Sequence, residues 1–481
     1  MQQVACPGCG APVQFRSPAS VMAVCEFCKT TILKDADSVR DLGKMSEVLE
    51  DYSPLQIGTA GRYTGRAFSL IGRIQLRYSA GFWNEWYALF DDGTAGWLSD
   101  ASGQFTMTFA REGAGALPPF ERLVPGQPLS LGGLTYTTSD VRTAQCTGGQ
   151  GELPFKVGEG WQARVADFRT GSHFLSLDYS DGPSAHVFAG EAVELAQLAP
   201  QLLRDTGQIT DAAGHYHGKV SALSCPSCGA AVQCVPGVTV HIVCPSCHAE
   251  VDTSGATATV LAAGAAVEAA AFTLELGAVA SIDGAPYTVL GAMRRAESDG
   301  GSIWNEYFLY SPGRDFIWLV ETSSGWQRAL VLNQWPVWDS AHAQLDGRSF
   351  ARDSEYLARV AFAAGSFNWR VSVGDTTRVT EFAAGPMRLA AEATSEELTW
   401  SRSWPVALDQ IRAWFGEHVH VAQQPHPKYK DTARRIVIAL LLINAVPLLF
   451  ATGAAMRYAL LAVAAIYLPA YFLDRLDEGA K

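Results

Sequence analysis

The chain has 481 residues, which predicts several domains rather than one. Its composition, 48% hydrophobic and 17% charged, is that of a folded protein with some membrane character. The net charge of −12 disfavours a nucleic-acid-binding protein, because binding to phosphates needs a basic surface. The charge is uneven: residues 421–481 hold seven Lys/Arg and four Asp/Glu, a net of +3, so the preceding residues carry −15.

Two sets of four cysteines predict two metal sites. Each set has the spacing C-x2-C-x15-C-x2-C, which is typical of zinc ribbons, and the second set lies 219 residues after the first. Four thiolates complete the tetrahedral coordination of zinc and leave no position for a catalytic water, so we expect two structural Zn2+ ions. The alternatives are disulfides, although nothing marks the chain as secreted, and redox CxxC pairs, which usually occur singly. The predicted ligands are Cys6, Cys9, Cys25, Cys28, Cys225, Cys228, Cys244 and Cys247.

The first repeat begins with zinc ribbon 1 at residues 1–34. Apolar residues at helical spacing between 34 and 51 predict a helical linker over 35–54. Residues 55–205 are predicted to form a β-rich unit, because short alternating runs are broken by glycines and Asp92-Gly93 predicts a hairpin turn. Leucines between residues 191 and 203 predict a helix that closes this unit.

A second repeat follows the first. A polar linker at 206–220 leads to zinc ribbon 2 at 221–252, an Ala-rich linker at 253–272 and β-rich unit 2 at 273–403. Trp83-Asn-Glu-Trp86 returns as Trp304-Asn-Glu-Tyr307, so the duplication extends beyond the cysteines. The sequence therefore predicts a mainly β protein with two tandem copies of a four-cysteine zinc ribbon plus a Gly-rich, barrel-like or sandwich-like unit.

The C-terminal part predicts a membrane segment. Residues 404–430 form an amphipathic and basic juxtamembrane segment, whose apolar face either lies on the bilayer or packs on the second β unit. Residues 436–455 carry no charge and are long enough to span roughly 30 Å of hydrocarbon. We expect a transmembrane helical hairpin at 434–473; one full span with a partial one, and a buried core hairpin, are the alternatives. Basic residues before the first span place the large N-terminal region in the cytoplasm.

Several motifs of the first repeat resemble one bacterial family. They are Ser53-Pro-Leu-Gln-Ile-Gly58, Gly72-Arg73, Trp83-Asn-Glu-Trp86, Gly96-Trp97-Leu98 and Gly151-Glu-Leu-Pro-Phe155. Residues 55–195 are similar to the domain of unknown function 4178, and the second copy departs from its pattern at Gly365-Ser-Phe-Asn-Trp369. The resemblance implies a leading zinc ribbon, a membrane segment and therefore a location at the bacterial inner membrane. It implies no activity, since none is established for the family.

The duplicated Trp-Asn-Glu motif is the best candidate for a ligand or partner site. In this interpretation each glutamate binds a cation or a peptide amine against the neighbouring tryptophan ring. The alternative, which we favour, is that the tryptophans fill a barrel and the Asn-Glu pairs tie a strand edge or a turn. No Ser-His-Asp order, phosphate-binding glycine loop or HExxH motif occurs, so no catalytic residue is predicted. The candidate residues are Trp83, Asn84, Glu85, Trp304, Asn305 and Glu306.

Three functions fit these features. The first is a non-enzymatic, membrane-tethered cytoplasmic scaffold for other proteins, because paired modules raise the effective concentration of a partner. The second is an enzyme or sensor that binds a small cationic ligand through Glu85 or Glu306. The third, a zinc-ribbon nucleic-acid binder, is disfavoured by the −15 charge. We expect the first function, with the membrane and other proteins as partners and no nucleic acid.

Overall fold

A computed structural model describes the chain over residues 2–34, 39–44, 51, 53–112, 115–157, 160–205, 223–232, 234–235, 239–253, 259–262, 272–312, 314, 316–419, 429–443, 461–466 and 469. The chain divides into two compact units, Met1–His420 and Val421–Lys481. The first unit contains both repeats and is almost entirely built of strands. The predicted linker at 206–220 lies outside the described residues.

The strands of the first repeat are numbered in chain order. They are β1 (Gln2–Ala5), β2 (Pro12–Phe15), β3 (Met22–Val24), β4 (Thr30–Lys34), β5 (Val39–Lys44), β6 (Ala60–Tyr63), β7 (Arg66–Tyr78), β8 (Gly81–Phe90), β9 (Ala95–Ala101), β10 (Gln104–Arg111), β11 (Pro128–Leu131), β12 (Leu134–Leu153), β13 (Gln162–Thr170), β14 (His173–Asp178) and β15 (His186–Val193). Short 3₁₀ helices lie at Phe120–Arg122 and Leu195–Leu198.

The second repeat has the same order of elements. Its strands are β16 (Leu223–Ser224), β17 (Ala231–Val232), β18 (His241–Val243), β19 (Glu250–Asp252), β20 (Thr259–Ala262), β21 (Val279–Ile282), β22 (Ala285–Glu297), β23 (Ile303–Tyr310), β24 (Ile317–Thr322), β25 (Gly325–Val331), β26 (Val337–Trp338), β27 (His342–Leu345), β28 (Arg348–Phe367), β29 (Thr376–Ala384), β30 (Met387–Ala393) and β31 (Leu398–Val406). Helix α1 (Leu408–Phe415) and a 3₁₀ helix (Gly416–His418) follow, and α2 (Tyr429–Ile443) belongs to the second unit.

Eight strands of the first repeat close into an antiparallel barrel. Two four-strand meanders, β7–β10 and β12–β15, are joined where β10 pairs with β15 and where β12 pairs with β7. Strand β12 pairs with two neighbours. Its earlier residues pair with β13 and its later ones with β7, and a β-bulge interrupts the register of each pairing. In the second repeat the ring is β22-β23-β24-β25-β31-β30-β29-β28, closed by β28 and β22. The prediction of a mainly β protein with barrel units is confirmed.

A glycine occupies the same critical point of each barrel. Gly151 has φ +66°, and a side chain there would place its Cβ 2.2 Å from the carbonyl oxygen of Ile71. Gly365 has φ +95°, with the corresponding oxygen of Leu290 at 2.4 Å. Glycine adopts a positive φ without strain, and because it has no Cβ it permits such a close backbone approach. The long strand therefore crosses from the barrel to the ribbon at this residue in both repeats.

The outer wall of each barrel is covered by other parts of its own repeat. In the second repeat, Ile411 and Phe415 of α1 are buried against the core that contains Leu274, Tyr307 and Leu319. The apolar stripe predicted ahead of the C-terminal segment therefore packs on the second β unit, as one of the two alternatives expected. Burying two such side chains contributes roughly 3–6 kcal/mol.

The inner wall of the second barrel carries a group of polar side chains. Arg295 on β22 donates a hydrogen bond from Nη1 to Oε2 of Glu392 on β30, at 2.9 Å. These two strands are not neighbours in the ring, so the bond crosses the lumen. The same nitrogen donates to Glu306 Oε1 on β23 at 3.2 Å. Because side chains alternate along a strand, this assigns the other alternating set, which includes Tyr307, to the outer wall.

The two repeats are bonded to each other within the first compact unit. Asn333, between β25 and β26, donates from Nδ2 to the carbonyl oxygens of Phe105 and Val193 at 3.2 and 2.9 Å. The backbone carbonyl oxygen of Asn333 accepts a hydrogen bond of 2.9 Å from Arg169 Nη1. A second junction joins Val141 N to the carbonyl oxygen of Glu396 at 3.0 Å. Since polar side chains and backbone of both repeats take part, the tandem forms a continuous body.

Two helices predicted from the sequence are wrong. Residues Val39–Lys44, within the expected helical linker, form β5 and pair with β4, because an unpaired strand edge offers this segment a ladder of hydrogen bonds. Residues 35–38 and 45–50 lie outside the described chain. Instead of a helix over 191–203, β15 continues to Val193, and only Leu195–Leu198 makes a short 3₁₀ turn. Strand pairing with β10 overrides the helical spacing of the leucines there.

The second unit is described only in part. Helix α2 covers Tyr429–Ile443, and residues 461–466 are also helical. The rest of the predicted hairpin at 434–473 lies outside the described residues, apart from residue 469. Among the helices of the described segments, none has both the length and the apolar character required to cross a membrane.

Candidate functional sites: the cysteine clusters and the barrel lumens

The structure brings the eight predicted cysteines into two groups of four. Within each group the four sulfurs lie within 4.8 Å of one another, and no disulfide joins them. In the first group the sulfurs of Cys6 and Cys28 are 3.5 Å apart and those of Cys9 and Cys25 are 3.7 Å apart. In the second group the Cys225–Cys247 and Cys228–Cys244 sulfur pairs are both 3.8 Å apart. Either group could hold a metal ion.

Nearby hydrogen-bond donors favour the thiolate form that a metal requires. The hydroxyl of Thr30 lies 3.2 Å from Cys28 Sγ, and this contact lowers the pKa of Cys28 to about 6. In the second group the backbone amide of Ala249 lowers the pKa of Cys247 to about 7. Because thiolates, not thiols, bind metals, these contacts favour the metal-binding form at one cysteine of each group; the pKa of Cys9 and that of Cys228 are instead raised to about 12 by hydrogen bonds with the neighbouring thiols.

Each ribbon is fused to its barrel through strand pairing. In the first repeat β3 pairs with the end of β12, with Ala23 opposite Glu152. Met22 and Val24 reach the core formed by Ile71, Leu153 and neighbouring side chains. In the second repeat β18 pairs with the end of β28 in the same way. A metal that fixes the ribbon therefore also fixes one end of the barrel.

A buried carboxylate holds the first ribbon in place. Glu152 is 4% exposed, and its Oε2 accepts hydrogen bonds from the backbone N–H groups of Arg16 (2.6 Å) and Ser17 (3.2 Å) and from Ser20 Oγ (3.0 Å). The second repeat has the small Ser366 at this position. Glu152 is therefore a structural residue of one repeat.

Replacing Glu152 with alanine is expected to lower the free energy of unfolding by about 2–3 kcal/mol, because three buried donors lose a charged acceptor. Urea denaturation of the full chain at neutral pH measures the loss. Glu121→Ala, whose side chain is 70% exposed, serves as the control and should change stability by about 0.5 kcal/mol or less. Equal effects of the two substitutions would contradict the role assigned to Glu152.

The asparagine of each Trp-Asn-Glu motif lies on the outer wall, in a buried polar network. Asn84 Nδ2 donates to Asp51 Oδ2 at 2.6 Å, and its Oδ1 accepts from Arg73 Nε and Nη2 at 2.9 and 2.7 Å. In the second repeat Asn305 bonds to Arg294 and Glu321 instead. The asparagines therefore anchor neighbouring chain segments, which agrees with the structural interpretation of this residue.

The tryptophan and glutamate of the motif lie on the inner wall. Trp83 donates from Nε1 to Glu85 Oε1 at 2.9 Å, and Trp304 donates to Glu306 Oε1 at 2.6 Å. Glu306 is also paired with Arg295, whose guanidinium carbon lies 5.8 Å from the centre of the Trp304 ring. The protein therefore already supplies a cation at the second motif.

Closure of each barrel adds two more carboxylates to the lumen. Asp167 and Asp178 join Glu85 in the first barrel, where burial raises the pKa of Glu85 to about 8 and the charge of Asp167 adds to the effect. Strand register places Glu381 and Glu392 at the corresponding positions of the second barrel, because Val165 pairs with Asp178 and Val379 with Glu392. These three acidic residues of each barrel are called its lumen triad; in the first barrel Asp140, which pairs with Asp167, lies on the same wall.

Comparison with known families agrees with this repeated architecture. A family model described as Domain of unknown function (DUF4178) matches residues 56–195 and 275–407, which together cover more than half of the chain. The chain belongs to the DUF4178 family. No curated protein matches it. The family assignment inferred from the motifs is confirmed. The family model matches both copies.

Each DUF4178 region coincides with one closed barrel, and both cysteine groups lie outside it. The lumen triads lie inside the matched regions, whereas the motif analysis identified only Glu85 and Glu306. In the sequence, residues 164–168 of the first repeat correspond to residues 378–382 of the second. Asp167 and Glu381 are the fourth residues of these two segments. What the sequence lacked was the information that these strands face the glutamates across a lumen.

The triad of the first DUF4178 barrel makes stability depend on pH. The pKa of Glu85 in the folded protein, about 8, is higher than the usual value of a glutamate, so the folded state holds a proton that the unfolded state releases. Stability is therefore expected to fall as pH rises from 6 to about 8, with zinc present throughout. Glu85→Gln, which mimics the protonated group, should reduce this dependence in urea titrations but not abolish it, because burial also raises the pKa of Asp140 to about 8. Glu417→Gln on the surface should leave the dependence unchanged.

Proposed function

We propose that this DUF4178 protein is a non-enzymatic binding scaffold in which two structural zinc ions hold the ribbons on a rigid tandem of barrels. The observation that carries the proposal is the position of the cysteine groups. Each has four sulfurs and lies where a ribbon strand extends the wall of a barrel. A metal with four thiolate ligands has no open position for a substrate, so its contribution is to stability.

The distances between the sulfurs support zinc as the metal. Four sulfurs placed 2.3 Å from a tetrahedral zinc ion are about 3.8 Å apart. The close pairs of the second group are separated by 3.8 Å, and those of the first by 3.5 and 3.7 Å. Hard cations such as Mg2+ prefer oxygen ligands, which these groups do not offer.

The zinc assignment predicts two metal ions per chain. Elemental analysis of full-length protein purified without chelator is expected to find two equivalents of zinc, released when a mercurial reagent modifies the cysteines. Cys146→Ala provides the control, because this buried cysteine belongs to neither group and its loss should leave both equivalents bound. A metal content far below two equivalents, or disulfides within the groups, would refute the assignment.

The joined repeats support the scaffold part of the proposal. Hydrogen bonds from Asn333 and Arg169 hold the second barrel against the first, so binding surfaces on the two would keep a fixed spacing. Fixed spacing increases the avidity for a partner that contacts both. The partner is proposed to be another protein at the cytoplasmic face of the membrane.

Membrane attachment through residues 434–473 is part of this proposal. It is supported by the uncharged run at 436–455 and the basic residues that precede it. The full chain is expected to remain with membranes after extraction at high salt and to be released by detergent. A chain ending at residue 420 should be found in the soluble fraction, and recovery of the full chain there without detergent would contradict the tether.

A further inference from the structure

A large cavity that is partly open to solvent is lined by strands of both barrels. Its volume is about 1570 Å3, and all eight strands of the second barrel contribute lining residues, as do seven strands of the first. Barrels of eight strands are usually filled by their own side chains or enclose one small ligand. Protein interiors are otherwise close-packed, so a space of this size is not needed for folding.

The lining of the cavity has more acidic than basic side chains. It includes twelve Asp/Glu side chains but only six arginines and no lysine. Four of these arginines are already paired with carboxylates of the lining: Arg142, Arg295, Arg388 and Arg402. The acidic side chains still outnumber the basic ones, and a low-dielectric surrounding strengthens the attraction of an ionised carboxylate for a cation.

Glu381 of the second lumen triad is the carboxylate best placed to receive that cation. It accepts hydrogen bonds from two neutral hydroxyls, Tyr356 OH and Ser354 Oγ, both at 3.1 Å. Its ion-pair partner in the described residues is Arg388, at 3.9 Å, which is beyond hydrogen-bond length. The ring of Tyr356 packs edge-on against that of Trp304, with centroids 5.8 Å apart. A cation next to Glu381 would therefore also meet an aromatic surface.

We propose that the lumen of the second barrel binds a small organic cation, an amine or guanidinium compound, with Glu381 as its counter-ion and the rings of Tyr356 and Trp304 beside it. The site extends the scaffold role proposed above and does not depend on it. It also differs from a site at the Trp-Asn-Glu motif itself, because Glu306 is already neutralised by Arg295.

Three probes of similar size and different charge test the proposal: n-butylammonium, butan-1-ol and butyrate. Calorimetric titration of the zinc-loaded full chain is expected to show binding of butylammonium at least about tenfold tighter than that of butanol, and no binding of butyrate. A preference for butyrate, equal affinity for all three, or no binding of any probe would overturn the proposal.

Substitutions locate the site within the cavity. Glu381→Gln is expected to weaken butylammonium binding about tenfold, which is the loss of about 1.4 kcal/mol. Glu355→Gln is the matched control, since Glu355 lies on β28 outside the cavity lining and pairs with Arg378 on the surface. Loss of affinity in both variants, or in neither, would contradict a site at Glu381.

A second variant keeps the test decisive if Glu381→Gln does not fold. Ser401 lines the cavity opposite Ala390, and the corresponding residue of the first barrel is Phe188, opposite Ser176. The fold therefore accepts phenylalanine at this register position. Ser401→Phe should occupy the lumen and abolish butylammonium binding while the two zinc ions remain. Unchanged binding in this variant would place the probe outside the barrel and refute the proposal.

Discussion

Cys25→Ser is expected to release one zinc ion and to produce the largest loss of stability of any single substitution considered. Cys25 is fully buried, and its ribbon packs Met22 and Val24 into the core of the first barrel. Metal binding by structural zinc sites contributes about 10–16 kcal/mol in isolated zinc-finger peptides, where it is also the energy of folding. Without its metal, a ribbon of four short strands has too small a core to remain folded.

Loss of the metal is expected to destabilise the end of the barrel as well as the ribbon. Hydrogen exchange of the full-length Cys25→Ser protein is expected to show lost protection in β2–β4 and at the end of β12, where Glu152 meets the ribbon. The second repeat, with its own cysteine group, should keep its zinc and its protection. Cys244→Ser should give the mirror-image result. If Cys25→Ser kept two equivalents of zinc, or lost one with no change in protection, the structural role of the metal would be disproved.

Local chemistry explains which parts of the fold could be read from the sequence. The turn at Asp92-Gly93 is set by the residues themselves, and Gly93 indeed has φ +82° between β8 and β9. The helix expected near Val39 failed because the decisive contact, the edge of β4, lies outside the pattern of the segment. Closure of the barrel depends on pairing between β10 and β15, whose residues are roughly eighty positions apart, and no local signal encodes it.

The same distinction applies to the candidate sites. Cysteine spacing predicts a metal site because each CxxC turn is formed by neighbouring residues. Only the approach of the two turns to each other depends on the rest of the fold. The lumen triads were missed because a strand with one polar face is normally assigned with that face toward solvent. Here Asp167, Asp178 and their equivalents face inward. Period-two alternation shows that a strand has a polar face, but only the closed ring shows that this face surrounds a cavity.

Arg73→Met is expected to lower the free energy of unfolding by about 3–5 kcal/mol, because it leaves a buried carboxylate without its main counter-charge. Arg73 and Asp51 are 2% and 1% exposed on their side chains, and Arg73 Nη2 donates to Asp51 Oδ2 at 2.7 Å. The guanidinium also lies 4.8 Å from the centre of the Trp86 ring. Methionine keeps much of the packing volume, so the loss reports chiefly on charge and hydrogen bonding.

The second barrel shows how this loss can be separated from a packing defect. Register places Ala292 at the position of Arg73, since Ala292 pairs with Tyr307 as Arg73 pairs with Trp86, so a DUF4178 barrel can close without an arginine there. Removing the charge of Asp51 should therefore recover stability. The double variant Asp51→Asn, Arg73→Met should be less destabilised than Arg73→Met alone. Arg66→Met, which breaks the exposed pair with Asp92, should cost about 1 kcal/mol or less. If the double variant is no more stable than the single one, the Arg73 side chain contributes mainly by filling space, and the buried ion pair is not what anchors Asp51 to the barrel wall.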